Sequence, residues 1–187
     1  MENVGTVIGG TYRLARRIGA GGMGVVWEAR HLELDRSVAV KLLAPKLLDE
    51  PIARARFRRE AKAAGRIDHD HVCEVFDFGF DGGTPYFVMP LLKGETLGQL
   101  LDREGPLVTD RALAIADQIL SVLETAHAKG IIHRDLKPDN VFLTRVGEQR
   151  DFVKILDFGI TKFGVGESSE TGSTTLTDSE AVLGTPY

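Results

Sequence analysis

The rhythm of apolar and polar positions changes once along the chain. Residues 12–18 (YRLARRI) alternate well enough for a strand leading into the glycine-rich stretch GAGGMGVV at 19–26. Residues 25–30 (VVWEAR) and 37–43 (SVAVKLL) are rich in β-branched and aromatic side chains and predict two further strands. A helix is predicted over 51–66, with Pro51 in its first turn behind Asp49 and Glu50. Strands resume at 72–78 and 85–89, separated by the turn residues Asp81, Gly82 and Gly83. Past Leu92 the period becomes helical. Thr96 and Gln99 have capping-box spacing ahead of a short helix reaching Arg103. A longer helix follows with Thr109 as its cap, and Ile115, Ile119, Leu120, Leu123 and Ala126 fall at helical intervals. Residues 131–158 predict short strands and turns, and the Ser/Thr-rich stretch 164–179 is too polar to bury a core. The expected organisation is α+β, a β-rich lobe with one helix and then a helical lobe, joined near residues 90–94.

Composition narrows the function classes. The 187 residues are 43% hydrophobic and 27% charged, an ordinary balance for a soluble globular protein. A formal net charge of −4 supplies no electrostatic reason to bind nucleic acid or an anionic membrane. No secretory signal or membrane segment is read in this chain, so the expected location is cytoplasmic. The one cysteine, Cys73, lies among alternating apolar residues and is expected to be a buried thiol. His31, His69, His71 and His127 show no metal-ligand spacing and read as structural or surface residues.

A glycine cluster alone marks a turn more often than a phosphate site. Here it stands in order with VAVK at 38–41, Glu60 within FRREA, HRDLKPDN at 133–140 and DFG at 157–159. With these the chain resembles the eukaryotic-type (Hanks-type) serine/threonine protein kinases, in their bacterial branch, from Tyr12 to Tyr187. The resemblance implies a bilobal protein-kinase-like fold, with residues 1–11 as leader, a complete β-rich N-lobe at 12–89, a hinge at 90–94 and a partial helical C-lobe at 95–187.

The resemblance also assigns the site, residue by residue. Ile18, Gly19, Ala20, Gly21, Gly22, Met23 and Gly24 would cover the nucleotide, with glycines admitting backbone N–H groups close to phosphate oxygens. Val26 and Ala39 would form the ceiling over adenine. Met89 would be the gatekeeper, Pro90 and Leu92 the hinge contacts, and Phe142 the floor, where the family usually has a smaller aliphatic. Lys41 would contact the phosphates, partnered by Glu60. Asp135 would orient the acceptor hydroxyl and take its proton, and Lys137 would neutralise the transferring phosphate. Asn140 and Asp157 are hard oxygen ligands suited to Mg²⁺, with Mn²⁺ as an alternative, and ATP is the implied phosphoryl donor.

The implied substrates are serine and threonine hydroxyls of proteins, with Thr185 of GTP 184–186 on the acceptor floor. Arg134, before the catalytic aspartate, implies activation by a phosphate on the following loop; Thr177 and then Ser179 are the expected sites, modified in trans within a kinase–kinase dimer. Because the resemblance stops inside the activation segment, the alternative is a truncated, catalytically inactive fragment that acts as a binding or regulatory module. The longer helix would then keep part of its apolar face exposed.

Overall fold

The computed structural model describes residues 3–21, 24–43, 55, 62 and 65–158. The predicted helix at 51–66 lies outside them except for Ala55 and Lys62, both helical, and the turn residues Gly65 and Arg66. The stretch 164–179 lies outside as well.

The N-terminal part is one antiparallel six-stranded sheet in the order β1-β2-β3-β4-β6-β5. Its strands are β1 (Val7–Ile8), β2 (Tyr12–Gly21), β3 (Gly24–His31), β4 (Arg36–Leu43), β5 (Asp77–Asp81) and β6 (Thr84–Pro90). Residues ahead of Tyr12, expected only as leader, contribute the edge strand β1, because Ile8 is 1% exposed and has a place in the core. Period-two alternation then sorts the side chains. Val38, Val40 and Leu42 of β4 pack with Trp27, Ala29, Tyr86 and Val88 on one face. The Tyr12 hydroxyl donates to Asp77 Oδ2 at 2.5 Å across this cluster, and burial pushes its pKa upward.

The predicted strand at 72–78 is displaced. Of that stretch Asp77 and Phe78 pair with β6, Phe76 N adds a bond to Val88 O, and β5 continues to Asp81. The apolarity at 72–73 has another cause: Val72 and Cys73 are buried against the far end of the chain. Ile155 N donates to His71 O at 2.7 Å, and Cys73 N to Ile155 O at 2.9 Å. His71 Nδ1 donates to Val153 O, while Lys154 Nζ donates to Asp70 O and Lys129 Nζ to Arg66 O. Residues 66–73 are thus fastened to the C-terminal part although they precede β5 in sequence. Burial pushes the Cys73 thiol up to about 12.

The C-terminal part holds β7 (Gly94–Thr96), α1 (Leu97–Glu104), α2 (Thr109–Ala128), a 3-10 turn (Pro138–Asn140), β8 (Val141–Val146) and β9 (Gln149–Ile155). Strands β7-β8-β9 form a second antiparallel sheet. The Thr96/Gln99 capping box is complete: Gln99 N donates to Thr96 Oγ1 at 3.1 Å and Thr96 N to Gln99 Oε1 at 2.9 Å. On α2 the cap is Val108 rather than Thr109. Ala112 N bonds Val108 O, and no side chain caps the turn. The buried stripe is Ile115, Val122 and Ala126 with Ile119 beside it, packed on Val141, Leu143, Val153 and Ile155. One residue turns about 100° around a helix, so Leu120 lands off the stripe and is 62% exposed. Leu113 is exposed too, and a groove of about 290 Å³ between α1 and α2 is lined by Leu97, Leu101, Leu107, Ile115 and Ile119.

Arg111 ties this part together at its edge, with Nε and Nη2 on the two oxygens of Asp151 and Nη1 on Glu104. His133 sits in the core at 2% exposure, its ring edge-on to Phe158. Its Nε2 donates to Leu156 O at 2.8 Å and its Nδ1 accepts from Asp135 N at 3.3 Å, an arrangement that requires the neutral ring. Burial lowers its pKa below the ordinary histidine value.

Two expectations follow. Replacing Thr96 by Ala removes a helix cap and costs about 1 kcal/mol, a fall in Tm of about 2–4 °C at this size, read by circular dichroism; an unchanged Tm contradicts the cap's contribution. For His133, the unfolded chain takes up a proton near pH 6.5 while the folded ring resists it. Below that pH the unfolded state binds more protons, so stability falls as pH is lowered and levels off above it. Urea titrations between pH 7.5 and 5.5 should show a shallower pH slope for His133→Phe; equal slopes refute the assignment.

Candidate active site

The cleft between the two sheets collects most of the chemistry-bearing residues picked out in the sequence. Strand register fixes the upper wall. Val26 pairs with Lys41, Lys41 with Phe87, and Ala39 with Met89. Directly opposed residues of an antiparallel pair share a face. Val26, Ala39, Lys41 and Met89 therefore lie together on the sheet face opposite the Val38–Val40–Leu42 cluster. Ala39 is 5% exposed and Lys41 9%, whereas Ile18 and Pro90 are exposed.

The glycine hairpin is the end of β2 and the start of β3, with Gly19 opposite Val26 and Gly21 opposite Gly24. Gly22 and Met23 at its tip lie outside the described residues. Gly24 is a glycine for a reason internal to the fold. Its φ is +147°, and a Cβ there would fall 2.0 Å from Leu42 O. Gly21 is different: among the described residues a Cβ there would meet nothing within 4 Å.

The lower wall comes from the segment between α2 and β9. Arg134 (φ +67°) and Asp157 (φ +56°) both have left-handed backbone, an uncommon state for non-glycine residues that concentrates at functional sites. Asp135 N is held by the His133 ring. Asn140 Nδ2 donates to Asp135 O at 2.7 Å and Asp135 Oδ2 at 3.1 Å, and Lys137 Nζ lies 3.4 Å from Asp135 Oδ2. Leu156 N donates to Asn140 O at 2.8 Å, which seats Asp157 beside this turn. Asp157 Oδ2 accepts from Lys41 Nζ, and both side chains are largely withdrawn from water. Two side-chain groups result, Lys41 with Asp157 and Asn140 with Asp135 and Lys137, joined through the backbone bond of Leu156 to Asn140. Lys41 meets Asp157, a pairing not anticipated from sequence; the expected partner Glu60 lies outside the described residues, as do Thr177, Ser179 and Thr185.

Phe142 is half-buried on β8, alternating with the core residues Val141 and Leu143, so its ring faces away from the C-terminal core. Met89, Pro90 and Leu92 carry the chain from β6 towards β7. His133, whose place in HRD suggests support by packing with Phe158, does pack on that ring and in addition clamps Asp135 N and Leu156 O by hydrogen bonds.

The donor chemistry fits a hard divalent cation. Asn140 Nδ2 donates to Asp135, which leaves Asn140 Oδ1 as an acceptor, and the second oxygen of Asp157 has no hydrogen-bond partner among the described residues. The described residues contain no group of three or more His, Cys, Asp or Glu side chains able to hold a metal. An ion held here would therefore draw further oxygens from phosphate and water, as Mg²⁺ commonly does.

A family model described as protein kinase domain matches residues 12–186. The chain is 45% identical over 186 residues to the serine/threonine-protein kinase pkn3 of Myxococcus xanthus, covering 99% of this chain and 34% of that protein. It is 42% identical over 178 residues to the serine/threonine-protein kinase PknE of Mycobacterium tuberculosis, covering 95% of this chain and 30% of that protein. The crystal structure of the M. tuberculosis PknI kinase domain is similar at a TM-score of 0.75 and 33% identity, over 87% of this chain and 63% of that one. The chain spans about a third of the length of these curated relatives. With the family model matching nearly all of it, the chain belongs to the protein kinase family, and its relatives are bacterial serine/threonine members.

Proposed function

We propose that this chain carries the catalytic machinery of an ATP-dependent protein kinase that phosphorylates serine and threonine hydroxyls. The observation that supports it most is the pair Lys41–Asp157 held next to the group Asn140–Asp135–Lys137 by the bond of Leu156 N to Asn140 O. Phosphoryl transfer needs positioning and charge neutralisation more than covalent help from the protein.

In this reading adenine enters between Val26 and Ala39 above and Phe142 below, beside Met89, Pro90 and Leu92. The hairpin residues Ile18 to Gly24 close over the phosphates, and Lys41 places a cation against them. Asn140 and Asp157 hold Mg²⁺, or Mn²⁺ in its place, which when bound neutralises charge on the phosphate oxygens. Asp135 then accepts a hydrogen bond from the acceptor hydroxyl and takes its proton as the bond to phosphorus forms. Asn140 keeps the aspartate aimed by donating to it, and Lys137 offsets charge on the group in flight. Glu60 is the proposed second partner of Lys41, and Thr185 the acceptor floor. Arg134 is proposed to hold a phosphate on Thr177 or Ser179, added in trans by a second copy.

Proteins are the substrate class, and the proposed compartment is the cytoplasm. Among the described residues no helix is long and apolar enough to cross a membrane.

Asp135→Asn should lower transfer of radiolabelled phosphate from ATP by at least about 100-fold while leaving nucleotide affinity within about twofold. Transfer that survives this substitution would falsify the assignment of the base.

A further inference from the structure

The two margins of the N-terminal sheet are far apart in strand order and close in space. Tyr12 lies on β2 and Asp77 on β5, with β3, β4 and β6 between them. At about 4.8 Å per strand, a flat sheet would set β2 and β5 about 19 Å apart, too far for these two side chains to meet. The Tyr12 hydroxyl nevertheless donates to Asp77 Oδ2 at 2.5 Å. The sheet therefore curls until its margins face one another, with Leu14, Trp27, Val40, Tyr86 and Val88 enclosed on the concave side.

Residues 3–11 run along this seam. Gly5 N donates to Leu14 O and Leu14 N to Thr6 O, each at 2.8 Å, which fixes the segment on β2. Ile8 enters the enclosed cluster. At the turn that follows, Gly9 N reaches across to Asp81 Oδ1 at 3.2 Å, at the end of β5. Gly9 has φ +57°, and a Cβ on it would fall 2.2 Å from the hydroxyl oxygen and 2.9 Å from Cζ of Tyr86, whose ring is buried in the same cluster. The segment thus touches both margins, β2 through backbone bonds and the β5–β6 hairpin through Asp81 and Tyr86. These residues precede the stretch that the kinase-domain family model matches, so the match itself does not describe them.

We infer that residues 3–11 are a strap that, with the Tyr12–Asp77 bond, closes the sheet along this seam and makes β2 and the β5–β6 hairpin one body. β2 runs on into the glycine hairpin and β6 into Pro90. The strap therefore ties together the two strands that reach the upper wall of the cleft. The inference stands on the sheet's own bonds and is independent of the kinase reading.

The test is hydrogen–deuterium exchange of the 187-residue chain, with each variant altered on one margin and read on the other. Tyr12→Phe removes only the hydroxyl on β2. It should speed exchange of the amides at 77–90 about tenfold, with α2 unchanged as the internal control. Asp81→Ala, on the β5 side, should speed exchange at 5–14 about threefold. Asp81→Asn keeps the accepting oxygen and should restore protection there. With Asp77 already replaced by Ala, Tyr12→Phe should add less than about twofold at 77–90, because its partner is gone. Responses confined to the altered margin, a loss that Asp81→Asn fails to repair, or an equal loss in α2 overturns the closure; the last would mark a general fall in stability.

Discussion

Lys41 and Asp157 stand 116 residues apart in sequence and meet as an ion pair largely hidden from water. Two charges so placed are tolerable only together, since removing one leaves the other desolvated and unmatched. The pairing demands that β4 turn Lys41 away from its own hydrophobic cluster and that β9 end where Asp157 can reach it. The six-stranded sheet satisfies the first demand by strict alternation along β4. The bonds of Ile155 to His71 and Cys73 satisfy the second, because they fix the end of β9 against the segment that leads back into the sheet.

Around that pair the polar groups are oriented by one another. The His133 ring donates to Leu156 O and accepts from Asp135 N, so a single neutral imidazole holds the residue before Asp157 and the backbone of Asp135. Asn140 uses its side chain on Asp135 and its carbonyl on Leu156 N. Arg134 and Asp157 carry left-handed backbone at the two ends of this arrangement. Such conformations persist where surrounding contacts over-determine them, and here the hydrogen bonds and the buried pair do so.

Much of the fold was legible because its signals are local. The strands expected at 25–30 and 37–43 lie within β3 and β4, and the Thr96–Gln99 spacing is a complete capping box. Errors arose where apolar residues serve a distant partner. Val72 and Cys73 look like strand because they are buried, yet their neighbour is Ile155 at the end of β9 and not the six-stranded sheet. Leu120 fits a helical period but falls beside the stripe that Val122 occupies. Thr109 has capping chemistry but makes no cap, because the helix begins one residue earlier. In the site, motifs marked residues that the fold brings together, but not which would pair. Nothing near Lys41 in sequence announces Asp157, and nothing in Lys129 or Lys154 announces that their ammonium groups hold the carbonyls of Arg66 and Asp70.

Cys73 has a practical corollary. It is the chain's sole sulfhydryl, 8% exposed, with burial disfavouring its reactive thiolate form. A cysteine introduced on the surface, for example at exposed Leu34 in the β3–β4 turn or at exposed Leu113 on α2, would then be the one readily alkylated position. Fluorophores or spin labels could be placed on the two lobes with the natural sulfur left intact, and the distance between them followed as nucleotide is added.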